Sequence, residues 1–551
     1  MKRVGETGEV STTNADAMHN SVPSAEAIVL SLPKSIMGRI SPGALVAMLS
    51  ALVTFYVSHR LDVLAADDSY IHRRIAMNLI QGGYAYFNLG ERVMATSSPL
   101  WTSLLALNIY LLPHSNFIPF YEAVCTGLAC YATYLLAKQS SCTLVMGRFA
   151  SRAYVFLPPA LTLCFLLRSS VEQMETPLAL ALLMWAFYGI LRGRSWGPSL
   201  LVLAAFTRYE FFVTLFMTAG IYIWMRKVSM KSVGIAVAVG LTFAGWLYSQ
   251  YHTLLPNTVK AKAAGYTITR SLTLNGLDVR PTSIILLAIG VLIFIFVWGR
   301  GQRISAPLIP SLLAVTGFLT AALYVYKITY IFPWYVPISL VPLAVGVSLL
   351  GMGRRLAYRM ATLFILCSLV IVSVKEDAQA VFAAVSGQPW KDIVDVPGLR
   401  VGEYKMLGAA IYKACPNGRL MTSEIGGLGF GFRGEILDGF GLVSPAAIKY
   451  HPMKIPSQRS NGALGAIPVG YVREERPDVI VSYPLYAEDV LRHKEELGYV
   501  DLLFPPLPSN DLKHLGSFYG IPAIHVLVRR DGLCSASAIS LAVAAITADP
   551  R

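Results

Sequence analysis

The stretch AADDSYIHRRIAMNLIQGGYAYFNLGERVMATSSPLW, residues 65–101, follows the first long apolar run and is the most informative segment of the chain. It opens with the carboxylate pair Asp67 and Asp68, and its apolar residues then recur at helical spacing from Ile71 to Leu79. A polar segment that begins with two acids directly after a membrane-length apolar run is typical of a loop at a membrane surface. We therefore take residues 63–116 as one loop of a membrane protein.

Within this loop, the spacing predicts a helix over 70–81, capped by Asp68 or Ser69 and ended by Gly82-Gly83. Its apolar stripe indicates an amphipathic helix that lies on the membrane surface. The carboxylate pair has two interpretations at this point. The two acids cap the helix, or they supply carboxylates to a site.

Composition agrees with a polytopic membrane protein. The chain has 551 residues, of which 55% are apolar and only 14% are charged, against roughly 25% charged residues in soluble proteins. This excludes a soluble enzyme, a disordered chain and a coiled coil. The net charge of +14 comes from basic residues in short loops between apolar runs, which indicates membrane topology rather than nucleic-acid binding.

Apolar runs long enough to cross a hydrocarbon core of ~30 Å predict a membrane domain of about ten to eleven helices over residues 39–375. The predicted spans are 42–62, 117–137, 148–167, 177–191, 197–225 (interrupted), 232–251, 282–299, 305–325, 332–350 and 356–374. The polar residues 1–38 are expected to form a disordered cytoplasmic tail.

Lys and Arg collect in alternate connectors, which the positive-inside rule places in the cytoplasm. The N-terminus is then inside, and the acidic loops and residues 376–551 are outside. This orientation requires two irregular elements. Residues 98–113 are predicted to form a helix that lies on the outer surface or dips into it, and 197–225 to rise and return through a break at 207–210.

The sequence pattern of residues 376–551 predicts an extracytoplasmic α/β domain. Strands are expected at 477–483 and 524–530, and a helix at 487–497, while 434–445 has strand and turn character. Cys415 and Cys534 lie in this part, where they form a disulfide or remain two free thiols.

The outer loops bring further charged residues toward the carboxylate pair. Asp67 and Asp68 are joined by Glu175 in VEQMETP, by Arg208 and Glu210 in TRYE, and by Asn257, Lys260 and Lys262 in LLPNTVKAK. Lysines near the headgroup level bind a phosphate or extend to the interface as ordinary surface cations. Carboxylates and cations on one face at an apolar boundary indicate a site for an anionic lipid and a polar acceptor.

Five motifs give this chain a family resemblance. In chain order they are DDSYIHRRIAMNLIQGGYAYFNLGERV with TSSPLW, QMETPL (173–178), LAAFTRYE (203–210), LLPNTVKAK (254–262) and ILDGFGLVSP (436–445). Together they resemble the polyprenyl-phosphate-sugar-dependent glycosyltransferases of the GT-C superfamily. Familiar members are the mycobacterial terminal arabinofuranosyltransferases and their proteobacterial homologues.

The resemblance implies a GT-C fold and inverting transfer of a sugar, with arabinofuranose as one candidate, from a polyprenyl phosphate to a cell-envelope glycan. It implies a bacterial inner-membrane enzyme that partners a lipid-linked donor, a glycan acceptor and the bilayer, without nucleic acid. Asp67 is expected to be the general base with Asp68 beside it, although either aspartate fits that role. Arg208, Lys260 and Lys262 are expected to hold the donor phosphate.

Glu175, Glu210 and Asn257 are then expected to position these groups or bind sugar hydroxyls. No cofactor is firmly implied, but Asp67 and Asp68 could share a divalent cation with a phosphate. The family segment VEGYTSPLW reads VMATSSPLW here, so Met94-Ala95 replaces Glu-Gly and donor or acceptor choice is expected to differ. A transporter or flippase for lipid-linked sugars, and a non-catalytic binding protein, are the alternative functions.

Overall fold

The computed structural model describes residues 41–61, 65–113, 116–141, 154–225, 229–265, 273–274, 277–278, 308–327, 332–351, 381–382, 384–386, 396–453, 467–504 and 523–548. The described residues from 46 onward belong to one compact unit, and every contact described below lies within it. The predicted tail 1–38, the spans 282–299 and 356–374, and the boundary at 375–376 lie outside the described residues.

The first part of the described chain is almost entirely helical. Its helices are α1 (Pro42–Arg60), α2 (Asp67–Gly82), α3 (Pro99–Leu111), α4 (Ile118–Ser141), α5 (Leu157–Val171), α6 (Thr176–Leu191), α7 (Trp196–Thr207), α8 (Phe211–Trp224), α9 (Met230–Tyr251), α10 (Asn257–Gly265), α11 (Leu308–Lys327) and α12 (Val336–Gly351). A short hairpin pairs β1 (Thr273–Leu274) with β2 (Leu277–Asp278). The single turn Pro333–Tyr335 precedes α12.

Helices α4, α5, α6, α7, α11 and α12 share one apolar core rich in Leu, Ala and Phe. Among the described residues, two helices, α1 and α9, are long and apolar enough to cross a membrane, and several apolar helices are shorter. Helix ends agree with the predicted spans in this region to within a few residues, except that α5 begins later than expected. Pro158 and Pro159 explain that start, because proline is favoured in the first turn of a helix.

Both irregular elements that the charge pattern required are present as short helices. The helix predicted at 98–113 is α3, which begins at Pro99, and its place at the outer surface stays a prediction. The segment 197–225 is divided into α7 and α8, with the break at Arg208 to Glu210. Arg208 is extended there, at φ −141° and ψ 114°, so the chain leaves the first helix before it enters the second.

The helix predicted at 70–81 is α2, and it ends as expected because Gly83 adopts the left-handed conformation, at φ 73°. Two details of the prediction are wrong. The residue that precedes α2 is Ala66, and no side chain caps the helix. The apolar stripe does not face a membrane surface either, since Ile71 and Ile75 are buried in one apolar cluster that includes Leu428 and Phe432 of the C-terminal part.

The C-terminal part contains the predicted α/β structure. Its elements are α13 (Val396–Ala414), β3 (Leu420–Thr422), α14 (Gly426–Phe432), β4 (Ile436–Asp438), the turn Pro445–Tyr450, α15 (Val469–Glu475), β5 (Val479–Ser482), α16 (Pro484–Arg492), β6 (Tyr499–Phe504), β7 (Ile524–Arg529) and α17 (Ala536–Ala548). The five strands form one sheet in the order β4-β3-β5-β7-β6. Strand β3 is parallel to β4 and β5, whereas β7 is antiparallel to β5 and β6.

The expected strands at 477–483 and 524–530 correspond to β5 and β7. The helix expected at 487–497 begins earlier, at Pro484, and ends at Arg492, because Pro484 fits the first turn of a helix. Of the two states left open for Cys415 and Cys534, the disulfide is the one present, with 5.5 Å between the Cα atoms. It links the region after α13 to the start of α17.

Candidate active site

The two aspartates at the start of α2 point in different directions. Successive residues of a helix are rotated by about 100°, so neighbouring side chains contact different surroundings. The carboxylate of Asp67 faces α14, where its oxygens accept hydrogen bonds from the backbone N–H groups of Gly426 at 2.9 Å and Gly427 at 2.8 Å. Asp67 therefore joins the first outer loop to the C-terminal part.

The contact between Asp67 and α14 is close. A Cβ atom at position 426 would collide with the backbone carbonyl of Asp67, so only glycine fits there. Burial raises the pKa of Asp67 to about 6, although the N–H groups of Gly427 and Gly426 act in the opposite direction. This carboxylate is thus held by backbone groups on the side facing the sheet domain.

Asp68 faces the predicted phosphate-binding lysine instead. Its Oδ2 lies 4.0 Å from Nζ of Lys262, with side-chain exposures of 27% and 17%. Lys262 also donates a hydrogen bond to the hydroxyl of Tyr335, at 2.7 Å. A carboxylate and an ammonium group therefore meet where both remain accessible.

Behind this pair, Arg208 lies in a buried network at the break between α7 and α8. Its guanidinium forms an ion pair with the fully buried Glu175, and Nη2 donates to Glu210 at 2.8 Å and to the Tyr324 hydroxyl at 2.9 Å. The guanidinium also lies over the ring of Tyr335, 4.6 Å from its centroid. Nζ of Lys262 lies 5.4 Å from the same centroid, so the Tyr335 ring contacts both cations.

Six of the eight predicted site residues are thus found around one region, with Asp67 on its outer edge. The group comprises Asp67, Asp68, Glu175, Arg208, Glu210 and Lys262. We call Asp68, Lys262, Tyr335, Arg208, Glu175 and Glu210 the charged ring. It offers one accessible carboxylate, one accessible cation and a buried second cation held by two carboxylates. Such a set can accept a proton and face an anion at neighbouring positions.

The other two predicted residues lie elsewhere. Lys260 is exposed and, among the residues that the structure describes, takes part in no ion pair. Residues two positions apart on a helix do not share a face, which separates it from Lys262. Asn257 is buried, and its side-chain amide donates to the carbonyls of Gly441 and Leu442, at 2.8 and 2.9 Å. It anchors α10 to the C-terminal part.

Several motif residues hold loops in place. Asp438 of the ILDGFGLVSP segment is buried and accepts N–H bonds from Phe440 and Val443, at 2.8 and 3.1 Å. Burial raises its pKa to about 6, against the effect of these bonds. The side chain of Asn88 donates a hydrogen bond to the carbonyl of Ile436, at 2.8 Å, and accepts one from its N–H, at 3.0 Å. Met94, which replaces the family's Glu, is buried in an apolar cluster.

Three features of the site were missed at the level of sequence. His72 is buried beside Glu175, Tyr324 bonds Arg208, and Gly426-Gly427 bind Asp67. The glycine-rich run GGLGFGF after a strand was a usable signal for a close backbone approach. Tyr324 gave no such signal, because a tyrosine in an apolar helix is an ordinary core residue.

The residues do not fit a metal centre built on the aspartate pair. In the described ranges, no group of three or more His, Cys, Asp or Glu side chains is arranged to hold a metal ion. Asp67 directs its oxygens at two backbone N–H groups, and Asp68 faces an ammonium group. We therefore assign no step of the reaction to a metal ion.

The fold has a solved counterpart. The crystal structure of ArnT from Cupriavidus metallidurans bound to undecaprenyl phosphate matches 90% of this chain and 100% of its own, with a TM-score of 0.50 and 10% sequence identity. No protein-family model and no curated protein sequence matches the chain. At this identity the likeness shows a shared fold and nothing finer.

Proposed function

We propose that this protein transfers a sugar from a polyprenyl-phosphate donor to an envelope glycan at the extracytoplasmic face of a bacterial inner membrane. The observation that carries the proposal is the meeting of Asp68 and Lys262, both accessible, in front of the buried Arg208 network. The similarity to ArnT, whose structure contains undecaprenyl phosphate, supports a lipid-phosphate donor. Arabinofuranose is one candidate among pentoses and hexoses.

In the proposed reaction, a hydroxyl oxygen of the acceptor attacks the anomeric carbon of the donor sugar. The bond between that carbon and the phosphate oxygen breaks, and polyprenyl phosphate leaves with the electron pair. Asp68 takes the proton of the hydroxyl, and a single displacement inverts the anomeric centre. We choose Asp68 over Asp67 because the Asp67 carboxylate is bonded to Gly426 and Gly427.

The leaving phosphate needs positive charge rather than a protonating acid. Lys262 lies beside Asp68 and would contact the phosphate, while Arg208 adds a second positive charge behind the Tyr335 ring. Glu175 and Glu210 hold that guanidinium in place. In this proposal the N-terminus is cytoplasmic, and the sheet domain is extracytoplasmic and closes one side of the site.

A transfer assay tests the proposal. Purified protein in lipid nanodiscs would receive a panel of polyprenyl-phosphate sugars with envelope glycan acceptors, with and without EDTA, beside Asp68→Asn. We expect one donor to be used by the wild type and transfer to fall about 10³-fold in Asp68→Asn. Failure of every donor, with labelled lipid-linked sugar still bound, would favour a transporter. Loss of transfer with EDTA would restore a divalent cation to the mechanism.

A further inference from the structure

His72 lies one helical turn after Asp68 on α2 and is buried, at 3% exposure. Positions four apart share a face of a helix, so His72 follows Asp68 toward the charged ring. Its Nε2 is 3.8 Å from Oε2 of Glu175. The other oxygen of Glu175 pairs with Arg208, whereas Oε2 has no hydrogen-bond partner among the described residues.

Two threonine hydroxyl groups face the other ring nitrogen of His72. His72 Nδ1 lies 3.0 Å from Thr96 Oγ1 and 3.1 Å from Thr102 Oγ1. Thr102 donates its proton to the carbonyl of Ser98, and the hydroxyl proton of Thr96 is available to Nδ1 or to Thr102 Oγ1, which lies 3.0 Å away. A neutral imidazole carries one N–H, and when Thr96 donates to Nδ1 this N–H lies on Nε2 and points at Glu175.

The reverse tautomer would turn the Nε2 lone pair toward a carboxylate. Burial opposes charge on Glu175, but the Arg208 guanidinium outweighs it and keeps the pKa of Glu175 below its usual value. Burial likewise lowers the pKa of His72, which is consistent with a neutral ring. A neutral donor and an ionised acceptor therefore face each other, with a gap that a small side-chain movement closes.

We propose that His72 is a positioning residue: its Nε2–H bonds the free oxygen of Glu175, and Glu175 thereby holds Arg208 in the orientation that binds the donor phosphate. This inference rests on the proposed function, because it assigns Arg208 to that phosphate. It adds a residue to which the family resemblance assigns no role, and a route from the TSSPLWT segment through Thr96 to the buried cation.

Substitutions at position 72 test the two ring nitrogens separately. The amide nitrogen of Gln reaches about as far as Nε2, whereas that of Asn corresponds to Nδ1. Affinity for undecaprenyl phosphate alone would be measured in nanodiscs for the wild type, His72→Gln, His72→Asn, Glu175→Gln and the double variant His72→Asn/Glu175→Gln. His493→Gln, at an exposed histidine, is the matched control, and thermal midpoints report folding.

We expect His72→Asn to bind about tenfold more weakly and His72→Gln to stay within about threefold of the wild type. The double variant should bind no more weakly than Glu175→Gln, because both changes remove the same contact. Equal losses in His72→Gln and His72→Asn, or additive losses in the double variant, would overturn the inference while the proposed function stands. A wild type that does not bind undecaprenyl phosphate would remove both.

Discussion

Two faces of helix α2 use polar residues in opposite ways. On the face toward the C-terminal part, Asp67 bonds backbone N–H groups, and Arg74 donates to the carbonyls of Phe87, Gly429 and Gly434. On the face toward the membrane helices, Asp68 meets the side chain of Lys262. Backbone partners fix a scaffold, whereas side-chain partners that remain accessible can exchange with a ligand. Motif residues that look alike in sequence therefore divide into anchors and site residues.

The two lysines of α10 are expected to differ most in their effect on turnover. Lys262→Gln removes the cation that faces Asp68, so we expect kcat/KM to fall about 10²- to 10³-fold in a steady-state transfer assay. Lys260→Gln changes an exposed lysine on another face and is expected to stay within about threefold. Equal losses in the two variants would mean that both lysines bind the phosphate.

The scaffold face is tested at Gly426. The substitution Gly426→Ala places a methyl group against the Asp67 carbonyl, and we expect it to lower the free energy of unfolding by about 1–3 kcal/mol. Thermal unfolding of the full chain in detergent measures the change. Gly402→Ala in α13 is the matched control, since open space surrounds that position, and it should leave stability unchanged or slightly raised. Equal stability of the two variants would contradict the close contact between Gly426 and Asp67.

A substitution at Asn257 tests whether this residue anchors α10 or binds a sugar. Asn257→Ala leaves the carbonyls of Gly441 and Leu442 without their donor, so we expect a loss of about 1–2 kcal/mol in stability. The KM for the acceptor should stay the same in the protein that remains folded. A large rise in KM at unchanged thermal midpoint would instead indicate that Asn257 contacts sugar.

A further expected effect is the pH dependence of stability. Burial raises the pKa of Glu424 to about 7, despite the nearby Arg400, and that of Asp67 to about 6. The folded protein then retains protons that the unfolded chain releases between about pH 4 and 7, so stability falls as pH rises through this window, by about 1–3 kcal/mol.

Glu424→Gln should flatten the upper part of this pH dependence and leave the part below pH 6 that belongs to Asp67. Thermal midpoints of the wild type and the variant, measured from pH 5 to 8, give the difference. A wild type that becomes more stable as pH rises would have the opposite sign and would exclude buried, proton-binding carboxyls at this interface.

Local patterns were sufficient to predict much of this molecule. Helical spacing predicted α2, the alternation of basic connectors predicted the short helix α3 and the break at Arg208, and β-rich runs predicted β5 and β7. These features depend on nearby residues or on the membrane as a uniform solvent. Both kinds of information are present in a single sequence.

The division of labour between Asp67 and Asp68 could not be predicted in the same way. It depends on contacts with Gly426 and Gly427, which lie 359 and 360 positions further along the chain. The apolar stripe of α2 was misinterpreted for the same reason, because a protein core and a membrane surface select the same residues. Lys260 and Lys262 were grouped together because α10 was not predicted as a helix.

The different roles of the two aspartates are tested most directly by comparing Asp67→Asn with Asp68→Asn in one preparation. Turnover with the accepted donor and hydrogen exchange of the 426–432 amides would be measured for each variant. We expect Asp68→Asn to lose turnover about 10³-fold with unchanged exchange, whereas Asp67→Asn should expose those amides and keep more of its turnover. A reversed result, with turnover lost in Asp67→Asn at unchanged exchange and retained in Asp68→Asn, would contradict the assignment of the two faces.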